Sequence, residues 1–132
     1  MTKVLGVASH LSDSDEGLVR ATIGCAIEVH RELGPGLLEH FYRRAFCIEL
    51  VARGASFQAE HPIRIAYCGT PLGVQRLDLL IERRLIVEVK AVGRLESVHV
   101  VQVLSYLRAA RLHVGLLFNF NAAPLTIRRV VL

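Results

Sequence analysis

The chain has 132 residues, 52% of them hydrophobic, with a mean hydropathy of +0.41; that suits one folded core, is short for two ordinary domains and excludes a disordered chain. No window approaches the roughly 18 uncharged apolar residues of a membrane helix, and MTKVLGVASHLSDSDE lacks a secretory signature, so a cytoplasmic protein without a membrane partner is expected. Residues 1–32 hold three basic and five acidic side chains and residues 33–132 thirteen and seven, which leaves a basic body suited to polyanions.

Residues 1–13 read as a loosely ordered arm. A helix is predicted over 14–33, with Ser12 and Ser14 as N-caps, Asp15 and Glu16 favoured by the dipole, and Val19, Ile23, Ala26, Val29 and Leu33 at helical spacing. Gly34-Pro35-Gly36 stops it. A second helix over about 37–53 carries Leu38, Tyr42, Phe46 and Leu50 on one face and ends at Gly54.

The period then changes to two. Residues 56–67 form one or two strands broken by Pro62, Gly69–Gly73 makes a turn, and 74–82 and 84–91 are apolar strands joined at Glu82-Arg83-Arg84. A third helix is expected over 97–111, then strands at 113–119 and 126–131. The whole reads as one mixed α/β domain, 1–132, whose sheet is covered by helices. Cys25, Cys47 and Cys68 are odd in number and include no CxxC, so they are read as reduced, buried thiols rather than a disulfide or zinc framework.

The central strands carry the chemistry. Past residue 15 the only aspartate is Asp78, set among Leu77, Leu79, Leu80 and Ile81; Glu88 and Lys90 lie in an equally apolar run. Charges there are costly to bury unless paired or bound to a metal. Alternation puts Glu88 and Lys90 on one face. With a three-residue loop at 82–84, Asp78 stands opposite Glu88, Cβ atoms roughly 5 Å apart; a two-residue loop would send it to the other face. The three-residue loop, or a bulge with the same effect, is expected.

Two such carboxylates repel unless a positive group lies between them. Hard oxygen donors suit Mg²⁺ or Mn²⁺, and Lys90 would orient or deprotonate a water or stabilise charge on a phosphate. Fourteen of the sixteen basic residues are Arg, the lysines being Lys3 and Lys90, so an interior Lys points to a task for a compact ammonium. A second reading stays open, in which Lys90 bridges Asp78 and Glu88 as a structural ion network. His99, Gln102 and Tyr106 make a polar face on the third helix, which either points at this site or faces solvent.

Gly36-Leu37-Leu38-Glu39-His40-Phe41-Tyr42, with AIEVHRELGPGLLE before it and RLDLLIERRLIVEVKAV, HVVQVLSYL, VGLLFNFN and IRRVVL after it, resembles the GxxExxY proteins, a small bacterial family of the PD-(D/E)XK nuclease superfamily. The resemblance runs from about residue 16 to the end. It implies a restriction-endonuclease-like fold and roles for residues at matching positions. Asp78 matches the metal-binding Asp, Glu88 the acid of (D/E)XK and Lys90 the catalytic Lys. Glu39 matches a supplementary acid, and Gln102 and Tyr106 the QxxxY helix. Leu77 stands where the motif Pro would be.

The resulting expectation is a Mg²⁺- or Mn²⁺-dependent nuclease, its metal held by Asp78, Glu88, Glu39 and the Val89 carbonyl, acting on DNA or RNA. A homodimer or a partner would supply target recognition. The rival expectation is a non-catalytic nucleic-acid-binding or protein-interaction module that keeps the fold.

Overall fold

The computed structural model describes residues 2–5 and 11–132. Ser12 caps helix α1 (Asp13–Leu33), its hydroxyl accepting the Asp15 N–H at 3.0 Å, while Asp13, Asp15 and Glu16 fill the first turn. Gly34, at φ +65°, returns its N–H to the His30 carbonyl and ends the helix. Helix α2 (Glu39–Ala52) buries Tyr42, Phe46 and Leu50.

Tyr42 gives the GxxExxY segment a physical role. Its hydroxyl donates to the Gly34 carbonyl at 2.5 Å and accepts the Leu37 N–H at 3.0 Å. It therefore ties the turn between the helices to the core. Gly36 sits in that turn at φ +108°, which a side chain would strain.

Strands β2 (Phe57–Tyr67) and β3 (Thr70–Ile81) form a long hairpin. Three expectations are corrected in this hairpin. Pro62 does not break β2, because β2 is the edge strand of the sheet and the missing proline N–H is tolerated there. The turn is only Cys68-Gly69, both at positive φ, between paired Tyr67 and Thr70; Pro71 and Gly73 lie inside β3, beside a register shift at Ile65/Ala66. Cys25 is buried as expected, Cys47 is partly buried, and Cys68 is exposed in this turn, contrary to its reading as a core thiol.

Strand β4 (Leu85–Lys90) follows β3 through the three-residue loop 82–84, and Ile81 pairs with Leu85, as the pattern of charges required. Helix α3 (Ser97–Ala110) then crosses to β5 (Val114–Asn119), parallel to β4, and β6 (Thr126–Val131) returns antiparallel. A sixth strand, β1 (Thr2–Leu5), pairs parallel to β6, so part of the expected arm belongs to the sheet; residues 1 and 6–10 lie outside the described residues. The order is β1-β6-β5-β4-β3-β2.

Helices cover both faces. One face carries α1 and α2 over Leu79, Ile81, Leu85, Val87, Leu116 and Phe118; the other carries α3 over Leu77, Leu80, Ile86 and Leu117. The approach of α3 depends on Gly115, where a Cβ would meet Val103 Cγ1 at 2.7 Å.

Candidate active site

The alternation of β3 fails at one place. Leu77 and Leu80 both pack on the α3 side, whereas Leu79 and Ile81 pack towards α1 and α2. The ladder between β3 and β4 runs only from Ile81–Leu85 to Leu79–Val87, and the strands part there. Buried backbone donors left by such a parting need acceptors, and two carboxylates provide them. The Asp78 N–H donates to Glu88 Oε2 at 2.7 Å, and the Val89 N–H donates to Asp78 Oδ2 at 2.8 Å. The expected facing of Asp78 and Glu88 thus takes a different form: no ladder pair joins them, and each side chain replaces a missing rung.

The other predicted residues lie around this pair, and His99, on the same helix as Gln102, is near Glu39. Lys90, half-buried at the end of β4, donates from Nζ to Gln102 Oε1 on α3 at 3.3 Å. Tyr106, one turn further on, is 5% exposed. Its phenol is held above the usual range by burial first and then by the charges of Glu88 and Asp78. Glu39, at the first position of α2, is close enough to respond to Asp78, Lys90, Arg43 and His99. The α2 dipole favours an anion at that position. His99 is engaged at the start of α3, where Nδ1 accepts the Glu96 N–H at 2.9 Å in a capping box. Its Nδ1 is thus committed to the helix cap, while the ring stays close enough to Glu39 to influence it.

Arg43 is a residue the sequence reading missed. Its Nη1 lies 3.5 Å from Asp78 Oδ1. The available signal was its spacing, since Arg43 follows Glu39 by four residues on one helix face. Asn119 was also missed. It is buried opposite Lys90, accepts the Val92 N–H at 3.0 Å and donates to the Val92 carbonyl at 2.9 Å, which fixes the chain as it leaves β4.

The electrostatics are those of excess negative charge in a poorly hydrated place. Glu88, 3% exposed, is pushed from 4.5 up to about 8, by burial first and then by Asp78. Asp78 is also raised by burial, against the lowering effects of the Val89 N–H, Arg43 and Lys90. Glu39 is raised by burial and by Asp78. Such a set is neutralised by protons or by a cation.

All the donors are hard oxygens, which fit a divalent ion of the Mg²⁺ type. As the side chains stand, no three His, Cys, Asp or Glu residues among the described residues converge closely enough to hold one. Arg43 and the two backbone N–H groups occupy part of the carboxylate valence instead.

A family model of the PD-(D/E)XK nuclease superfamily matches residues 16–130. The chain belongs to that superfamily, and its mixed sheet flanked by helices is the restriction-endonuclease-like architecture. No curated protein and no solved structure matches it. No helix among the described residues is long and apolar enough to cross a membrane.

Proposed function

We propose that this protein is a metal-dependent nuclease that hydrolyses phosphodiester bonds of DNA or RNA at the Asp78–Glu88–Lys90 site. The observation that carries the reading is the parting of β3 and β4, where two carboxylates replace ladder bonds beside a Lys held by Gln102. A purely structural role would be served as well by continued pairing of apolar residues, at far lower desolvation cost.

Asp78, Glu88, Glu39 and the Val89 carbonyl are the groups that would hold Mg²⁺ or Mn²⁺, and the ion would polarise the phosphate and make its water more acidic. The remaining work falls to the chain's own side chains. Lys90, anchored through Gln102, positions the attacking water or meets the negative charge that builds on the phosphate. Tyr106, buried near Glu88 and Asp78, would help Gln102 orient Lys90 or the substrate. The pairing of Arg43 with Asp78 holds part of the negative charge, and on substrate binding the guanidinium is placed to meet a phosphate oxygen. The resemblance to GxxExxY proteins is consistent with this reading, which leaves target choice to a homodimer or a partner.

The Arg43–Asp78 contact also favours a second reading, in which the site is a self-neutralised structural network in a binding module. Calorimetric titration with Mg²⁺ and Mn²⁺ separates the two. The nuclease reading expects saturable binding that Asp78→Asn abolishes. An absence of binding in the wild-type protein supports the structural network.

A further inference from the structure

A cleft of about 280 Å³ lies between the sheet edge and the end of α3, bounded by His61, Arg64, Leu80, Arg83, Ala109 and Ala110. Three of its lining residues are basic and none is acidic. Arg64 and Arg83 make no ion pair or side-chain hydrogen bond among the described residues, so neither guanidinium is neutralised by a carboxylate.

Several features make the hollow a receptacle rather than a chance gap. Ala109 and Ala110 line it with methyl groups only, and Leu80 lies at its base. Arg83 is carried into it by the hairpin turn, where Glu82 and Arg83 both hold positive φ and the Arg84 N–H closes onto the Ile81 carbonyl. The C-terminus of α3 contributes a partial negative charge of about half a unit. Its last carbonyls already accept the Arg111 and Leu112 N–H groups, and two guanidinium charges outweigh it.

The place also suits the site. Ala109 and Ala110 follow Tyr106 on α3 by three and four residues, about one helical turn. Leu80 follows Asp78 by two residues on β3.

We propose that this cleft binds backbone phosphates of the nucleic acid whose cut phosphate lies at Asp78 and Glu88, with Arg64 and Arg83 as the anion-holding pair and His61 beside them. The proposal rests on the nuclease reading for its ligand, and the test separates the two. Fluorescence anisotropy in EDTA would follow binding of a labelled duplex and a labelled single strand of DNA across a salt series. It would compare wild type, Arg64→Gln/Arg83→Gln, Arg64→Lys/Arg83→Lys, and Arg20→Gln/Arg44→Gln as a charge-matched control on other surfaces.

The cleft pair should lower the slope of log affinity against log salt by about 1.8 on duplex, or about 1.4 on single strand. It should weaken binding about tenfold or more at moderate salt, with the Lys pair restoring the slope and the Arg20/Arg44 pair changing binding less than the cleft pair. The strand form that shows the larger loss is the form the cleft holds. If the cleft pair behaves like the control on both nucleic acids, the proposal is overturned while the nuclease reading stands on cleavage. If the cleft pair loses binding but wild type cuts nothing with metal present, the nuclease reading fails and the cleft remains a phosphate site.

Discussion

Replacing Glu88 with Gln removes the charge that the metal-free fold tolerates least and keeps its shape and its acceptor for the Asp78 N–H. Glu88 has its pKa raised from 4.5 to about 8 in the fold. Between those values the folded state binds more protons than the unfolded one, so stability falls as pH rises through that window. At about 1.4 kcal/mol per pH unit, the cost reaches roughly 3 kcal/mol at pH 7 and levels off near 5 kcal/mol above pH 8.

The Gln variant escapes this cost. In EDTA it should match wild type at pH 4.5 to 5 and exceed it by roughly 3–5 kcal/mol at pH 9. With a urea dependence of about 1–3 kcal/mol per molar, the midpoint shift is at least about 1 M. Saturating Mn²⁺ should narrow the gap by stabilising wild type alone, by about 2.7 kcal/mol at a hundred times the dissociation constant. Urea unfolding at pH 5, 7 and 9, with and without Mn²⁺, measures all of this. A Gln variant no more stable than wild type at pH 9 in EDTA would refute the electrostatic account of the site.

Two further substitutions test how the fold positions that site. Tyr42→Phe removes the hydroxyl that joins Gly34 to Leu37. It should cost about 1–3 kcal/mol in urea unfolding, because both backbone groups lose a buried partner; an unchanged midpoint contradicts the role given to this tyrosine. Gly115→Ala drives a methyl into Val103 and should cost about 1–3 kcal/mol, with cleavage reduced because Gln102 on the displaced helix anchors Lys90. A neutral effect on both would show that α3 can retreat freely.

Much of this arrangement was legible because it rests on local rules. Ser12 and Gly34 bracket α1 by capping chemistry, and the charge pattern of Asp78, Glu88 and Lys90 demanded the three-residue loop that the Ile81–Leu85 pairing shows. What escaped depends on distant partners. Four residues at the N-terminus become a strand only because β6 offers a parallel edge. Pro62 is compatible with β2 only because that strand lies outermost.

The parting of β3 at Asp78 could not be read from alternation, since the alternation itself is what fails there. Arg43 meets Asp78 across 35 residues, and only the docking of α2 onto the sheet brings them together. His99 shares a helix face with Gln102 and Tyr106 by spacing, but its role in the capping box depends on the Glu96 backbone and was not legible from that spacing.

The most direct test of the central claim is cleavage of single- and double-stranded DNA and RNA with Mg²⁺ or Mn²⁺, wild type beside Lys90→Ala. The account predicts metal-dependent cutting of at least one substrate, lost in EDTA and reduced at least a hundredfold by the substitution, on the scale of removing one preorganised electrostatic group. Cutting that survives Lys90→Ala, or no cutting of any substrate with metal demonstrably bound, would contradict it.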